Sequence, residues 1–574
     1  QQAYLKASNS FFGDEFGTAV AIDGDSIVVG AHKEDSAATG VNGNQADNSE
    51  LDSGAAYVFV RSGSTWTQQA YLKSSSNAAL PGHAGDNFGA SVAVSGDTVV
   101  VGAWDEPSDL TGINGSGGGA AVGSGAAYVF VRSGATWSPQ AYVKASNTDV
   151  GDEFGWSVAI SGDTIVVGSW LSDSTPVGSN GGAAYVFQRR PEFEDRWDMV
   201  AKLVGSGTTA ADRFGTSVAI DGDVIVVGAE LDDPVGSASG AAYVFERHAG
   251  GANQWNETAA LVASGASSGD RFGKSVSVSG GTVIVGSWFD DVGASNSGAA
   301  YIFERHNGTW SETAKLSPSS PTANDQFGVS VAASGSTVVV SAWLDDYDLN
   351  PFRSNTGAVY VYQRVNAVWQ ETVRLLPAAP PSSGERLGTS IDIDGDRIAV
   401  GAYLADASGV DSGRVLLFAR SAAGTWSQQA ELHNLGSSTN DRFGNSVAID
   451  RSVIVAGSYL EDAAATNSGA VTVFDLRQDT ATVTLSYVEP VSLLPVSQPI
   501  AIFSGSNAAA ADHPMMPMVR RESAQRSWVH DPLAGARAEN AADSSAPKQH
   551  RRAHSRSIAS NAVIAIDLDE PDWI

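Results

Sequence analysis

Two sets of carboxylates recur at fixed positions in this 574-residue chain, and they are the side chains with the most chemistry to offer. Asp14, Asp86, Asp152, Asp212, Asp270, Asp325, Glu385 and Asp441 each stand two residues before a Phe-Gly or Leu-Gly pair. Asp35, Asp173, Asp233, Asp291, Asp346, Asp406 and Asp462 each follow a Val-Gly position, Val-Ser in the sixth copy and Ala-Gly in the eighth, by about five residues; Asp105 with Glu106 takes that place in the second copy. Acids crowded on one rim would hold a hard cation or a basic ligand group. They have a plainer use as well, in which each accepts backbone N–H bonds to close its own loop. Arg213, Arg271, Arg386 and Arg442 adjoin the first set and would neutralise part of it. Beside the second set stand Trp104, Trp170, Trp288 and Trp343, with Tyr403 and Tyr459 in register and His32 and Glu230 in the remaining copies. Such rings stack on sugars or cations, or pack against a neighbouring element. Catalytic constellations are missing: there is no Cys, no His-Glu-x-x-His pair and no phosphate loop. The chain is therefore read as a non-enzyme.

These acids can gather only if the chain repeats in space as it does in sequence. The pairs are Phe16-Gly17, Phe88-Gly89, Phe154-Gly155, Phe214-Gly215, Phe272-Gly273, Phe327-Gly328, Leu387-Gly388 and Phe443-Gly444, at intervals of 55 to 72 residues. Eight copies of one unit imply an array whose neighbours bury one another's faces. In the second copy, Ala90-Ser91-Val92-Ala93-Val94 alternates as a strand, Ser95-Gly96-Asp97 turns, and Thr98-Val99-Val100-Val101-Gly102 runs apolar as a strand covered on both faces. Ser124 to Phe130 and Trp137 to Lys144 supply a third and a fourth strand. Asp-Gly or Ser-Gly makes the first turn in seven copies, as at Asp23-Gly24, Asp221-Gly222 and Asp394-Gly395, because both residue types tolerate the positive φ of a tight hairpin. Four-stranded sheets that are apolar on both faces need identical neighbours on each side, and radial repetition supplies them. The fold expected is an all-β, eight-bladed β-propeller over residues 1–475.

The chain opens with Gln1-Gln2-Ala3-Tyr4-Leu5-Lys6, which repeats Gln68 to Lys73, the fourth strand of a unit. The eighth copy ends at its third strand, Gly469 to Phe474. Tyr4–Lys6 would therefore close the ring, with Ala481–Tyr487 as the competitor for the same slot. Residues 476–503 are expected to add strands at most. Residues 504–574, rich in Ala, Ser, Pro, Arg and His, read as a disordered tail with a basic stretch at Lys548–Arg556 and one strand candidate at Asn561–Leu568.

Phe-Gly, then Val-Gly-Ala, then Gly-Ala-Ala-Tyr-Val-Phe resembles the FG-GAP repeats of the integrin α-subunit propeller and its bacterial relatives. The resemblance implies an extracellular platform for adhesion or ligand contact. It also implies calcium in a loop between the first two strands, but here that loop has shrunk to a hairpin with too few oxygen ligands. Calcium is not carried over from the family. The acids listed above remain the only metal candidates, and no cofactor is expected.

Net charge is -30, so the chain repels nucleic acid and anionic membrane surfaces at long range. No run reaches membrane-spanning length. Opening on Gln1 without a leader fits a processed, exported protein. The function expected is recognition or adhesion at the cell surface or matrix, with a protein or glycan partner bound on the acidic loop rim. The rivals are a structural surface subunit that self-associates through its tail and a polysaccharide-processing enzyme.

Overall fold

The structure is a computed structural model that describes residues 1–476 apart from 76–83, 116–119, 174–177, 191–195, 348–351, 435, 437 and 463. Eight four-stranded antiparallel sheets follow one another along the chain. In the first, Val20–Asp23, Ser26–Ala31, Ala55–Ser62 and Thr65–Leu72 pair in chain order. The second strand of each sheet is nearly or wholly buried, as at Ser26–Ala31 and Thr98–Ala103, because both of its faces meet other sheets. First strands of neighbouring blades approach one another closely and fourth strands hardly do, so the first strands line the axis and the fourth lie outside.

Closure is direct. Ala3–Leu5 pairs antiparallel with Ala470–Asp475, Leu5 opposite Val471, and completes the eighth sheet. The competing segment Ala481–Tyr487 lies outside the described residues, as do the expected extra strands and the tail. Lys6 locks the joint by donating to Gly469 O at 2.7 Å and to Glu461.

The Phe-Gly pair is the stitch between blades. Phe88 forms a parallel bridge to Gly54 of the preceding blade, Phe154 to Gly125 and Phe272 to Gly240; Phe16 reaches Gly469 across the closure. Its ring packs edge-on against the third strand of its own blade, with centroids 5.2 Å apart for Phe88 and Tyr128. A fully buried Phe of this kind contributes on the order of 1.5–3 kcal/mol. The glycine is required by space as well as by φ. A Cβ on Gly89, at φ +100°, would sit 2.3 Å from Ala55 O of the preceding blade.

At the opposite end, the first hairpin turns form a continuous ring. The Asp or Ser of each turn accepts a backbone N–H from the next blade's turn, from Gly96 to Asp23 at 2.6 Å through to Gly24 and Asp450 at 2.6 Å. Further out, Trp66 and Trp137 are buried and donate their indole N–H to Gln2 and Gln69 of the preceding blade, each at 2.7 Å. No helix among the described residues is long and apolar enough to cross a membrane.

Candidate functional site

Connections from fourth to first strands and from second to third strands leave the sheets on one face, and both carboxylate sets belong to them. The structure separates the two sets. All eight first-set acids are buried, none more than 4% exposed. Their loops curl inward over them, and the acid caps its own loop from three residues along. The Phe11 N–H donates to Asp14 at 2.7 Å, Asp149 to Asp152 at 2.9 Å, Ser267 to Asp270 at 2.6 Å, Thr322 to Asp325 at 2.6 Å and Ser438 to Asp441 at 2.5 Å. Thr209 and Ser382 serve Asp212 and Glu385 in the same way. Burial pushes the Asp14 carboxyl up to about 7 and those of Asp152 and Asp270 to about 6. Asp212, Asp325, Glu385 and Asp441 are raised by the same cause.

The second set lies nearer solvent. Asp173, Asp233, Asp291, Asp406 and Asp462 are exposed, and Asp35, Asp105 and Asp346 half-buried. One oxygen of seven of them takes a loop N–H, as Asn180 to Asp173 at 2.7 Å, Asn296 to Asp291 at 2.7 Å and Asn467 to Asp462 at 2.8 Å. Among the described residues, no group of three or more His, Asp or Glu side chains converges in a way that could hold a metal ion.

Between the two sets lies a third, of which the spacing alone singled out only Glu106. Glu34, Glu106, Asp232, Asp290, Asp345 and Glu461 are all buried, immediately before the second-set position or just after Asp105. Most meet a cation from the end of the fourth strand: Lys73 to Glu34 at 2.7 Å, Lys144 to Glu106 at 2.8 Å, Lys315 to Asp290 at 3.1 Å and Arg374 to Asp345 at 2.5 Å. Tyrosines complete the layer, with Tyr71 donating to Glu34 at 2.9 Å and Tyr301 to Asp290 at 2.5 Å. The signal was present in the copies. Where the cation follows the strand's last apolar residue, as in Leu72-Lys73, Val143-Lys144 and Leu5-Lys6, the acid is Glu; where it precedes, as in Lys315-Leu316 and Arg374-Leu375, the acid is the shorter Asp.

The aromatic residues gather round the axis. The residue before each Phe-Gly or Leu-Gly pair (Glu15, Asn87, Glu153, Arg213, Arg271, Gln326, Arg386 and Arg442) is left-handed at φ 51–59°. The long side chains at these positions interleave with the rings at the ends of the second strands. Arg213 lies 4.5 Å over Trp170, Arg386 4.8 Å over Trp343, and Arg271 5.7 Å over Trp288. Trp170 donates to Glu153 at 2.5 Å, and Trp104 and Trp170 pack on either side of Trp156, at 6.0 and 4.9 Å. Arg213, Arg271 and Arg386 thus lie on rings rather than on the first-set acids.

Apolar side chains mark the loops of the same face. Eleven large apolar residues are exposed among the described residues, and eight of them (Phe11, Phe12, Leu51, Val122, Val150, Val235, Phe352 and Val410) belong to its loops. In the first two blades the longer loops also run back along the outer strand, where Val41 bridges Leu72 and Ile113 bridges Val143.

A family model described as an FG-GAP repeat matches residues 1–59, 66–130, 137–187, 197–245, 255–303, 310–362, 369–418 and 426–474. No curated protein matches in sequence. Among solved structures, the chain is similar to Sqt1 of Saccharomyces cerevisiae at 10% identity and a TM-score of 0.44, over 82% of this chain and 97% of that one. It is also similar to a protein from Lactobacillus plantarum at 13% identity and a TM-score of 0.40, over 72% of this chain and 96% of that one.

Proposed function

This chain belongs to the FG-GAP repeat family, and on that premise we propose that it is a non-catalytic recognition scaffold, working at the cell surface or in the extracellular matrix. It takes a protein or glycan partner on the loop face of the propeller. One observation carries this reading. The loops of that face hold eight of the eleven exposed large apolar side chains, beside the exposed carboxylates of the second set. Apolar anchors in a polar surround are what a partner surface needs, and loops on a rigid scaffold can vary without disturbing it. The extracellular setting follows the habit of the family.

The test is binding to a panel of neutral and acidic oligosaccharides and immobilised matrix proteins, repeated with Leu51→Asp, Val122→Asp and Val410→Asp together. The triple variant should fold as the parent does, because all three side chains are solvent-facing, and should lose at least ten-fold in affinity. A binder held equally well by parent and variant would remove the loop face from the account.

A further inference from the structure

Each blade ends in an outer strand whose far edge carries N–H and C=O groups to be paired. In the first two blades the chain pairs them itself. Asn42 N–H donates to Tyr71 O and Lys73 N–H to Gly40 O, each at 2.8 Å; Asn114 to Tyr142 and Lys144 to Gly112 repeat both bonds at 2.8 Å. Residues 40–42 and 112–114 are thus short fifth strands, and both run antiparallel to the edge they cover. Among the described residues the third blade has no such strand, and Arg196–Leu203 stands last in its sheet.

Open edges are ordinarily blunted by polar side chains, charged ones above all. The outer strands of the fourth to seventh blades keep to this, with Glu257-Thr258-Ala259, Glu312-Thr313-Ala314, Glu371-Thr372-Val373 and Gln428-Gln429-Ala430 in one register. The first residue of each also latches the preceding blade, accepting from Ser206, Ser264, Ser319 and Ala378 in turn. The third blade has Met199-Val200-Ala201 at those positions, all half-buried. Met199 and Val200 line a groove of about 620 Å³ with Arg190 and Asp198, bounded by Ile113 of the second blade's extra strand and Asn253 of the fourth blade.

An open edge is matched by an extended polypeptide, which repeats its own N–H and C=O groups about every 3.3 Å, and by no sugar or nucleic acid. The chain carries such a segment beyond its described residues. Ala562-Val563-Ile564-Ala565-Ile566 is an unbroken apolar run rich in β-branched residues. The apolar stretches between it and the propeller are interrupted by Pro490, Pro495 and Pro499, and a tether of residues 477–480 holds Ala481–Tyr487 within about 17 Å of Leu476, three blades away. Residues 477–560 extend to about 280 Å, so reach does not restrict the later run. Asp567, Asp569, Glu570 and Asp572 follow it. At the start of the third blade's outer strand, Arg190 and Arg196 share the one carboxylate of Asp198, at 3.6 and 2.9 Å. Antiparallel addition, the sense of both extra strands, sets those acids beside those arginines.

We propose that residues 561–568 add to the outer edge of the third blade as its fifth strand. Alternate apolar side chains enter the groove beside Met199 and Val200, and the acids that follow meet Arg190 and Arg196. The side wall of the propeller is then a second binding surface, specific for extended polypeptide, and it stands independently of the loop face.

The full chain, which has no cysteine, allows a direct test. Val200→Cys would be combined in turn with Val563→Cys, Ile564→Cys and Ala565→Cys and oxidised mildly at low protein concentration. At least one pair should close within a single chain ten-fold faster than the same tail variants combined with Thr372→Cys, the matching position of the sixth blade. Excess synthetic peptide of residues 558–574 should slow that closure, and so should Arg196→Glu. Proline lacks the N–H that a paired strand donates, so Ile564→Pro with Ile566→Pro should speed amide exchange over residues 198–204 several-fold and leave Trp255–Leu261 unchanged. That variant alters no residue of the propeller, which separates the loss from misfolding. Closure no faster with Val200 than with Thr372, disulfides formed only between two chains, or exchange unmoved by the prolines would overturn the assignment.

Discussion

Removing the charge of Lys73 is the sharpest way to ask whether the buried polar layer is as dry as the geometry says. Lys73 and Glu34 have side chains 0% and 1% exposed and meet at 2.7 Å. Lys73 Nζ also donates to Ser53 Oγ at 2.7 Å, and Tyr71 and Asn9 donate to Glu34 at 2.9 and 2.5 Å. With Lys73→Met, Glu34 keeps neutral donors but loses its counter-charge in a site that water does not reach. Breaking a buried pair from one side costs about 3–5 kcal/mol, because the stranded charge keeps its desolvation penalty. Replacing both partners, as Lys73→Met with Glu34→Leu, removes that penalty and should recover most of the loss. The assay is urea unfolding followed by tryptophan fluorescence, with amide exchange to localise the damage. In a repeat array the effect should concentrate in the first blade and its neighbours. A single variant within 1 kcal/mol of the parent, or a double variant worse than the single, would refute the reasoning.

Stability should also depend on pH in an uncommon direction. Asp14, at about 7, and Asp152, Asp232 and Asp270, at about 6, prefer to keep their protons when folded, whereas an unfolded Asp ionises near 3.9. Between these values the folded chain holds more protons, so their contribution is present below about pH 4 and is lost as pH rises through 6 to 7. His32, lowered to about 3 by burial, opposes them as a single group. The urea midpoint should therefore be higher at pH 5.5 than at pH 8, and a flat profile would count against buried first-set acids. Gly89→Ala, whose Cβ would lie 2.3 Å from Ala55 O, should fail to give soluble folded protein. Gly96→Ala, with nothing within 4 Å and φ +57°, should cost only about 1–2 kcal/mol in the same assay.

The fold was legible in the chain because each of its devices is local and is repeated eight times. Asp23-Gly24 announces a hairpin, Val99-Val100-Val101 a strand with two covered faces, and Gln1 to Lys6 a fourth strand that has no other sheet to complete. The site was legible only in part. Spacing shows that Asp14 and Asp35 lie in loops of one face, but it does not show that the loop before Phe16 folds over its own acid while the one after Ala31 leaves Asp35 nearer solvent. That depends on which N–H groups the closed loop must satisfy. The axial girdle was half visible: Trp170 and Arg213 were noted beside different acid sets, yet they belong to successive blades, and only the packing of one blade on the next brings them to 4.5 Å. The pairings of Glu34, Glu106 and Glu461 with a Lys after the strand's last apolar residue, and of Asp290 and Asp345 with a Lys or Arg before it, emerge from comparing copies rather than from any one of them.

The loop face itself is open to a single direct measurement, helped by the absence of cysteine from the chain. Val122→Cys and Val410→Cys place one thiol on that face, at positions 64% and 59% exposed, and Val368→Cys places one at the opposite end, at 56%. Each would be coupled to a bulky maleimide polymer and tested against the tightest member of the oligosaccharide and matrix-protein panel. The account predicts at least a ten-fold loss for both loop-face conjugates and less than a two-fold change for Val368. Binding blocked from Val368 and spared from Val122 and Val410 would contradict it.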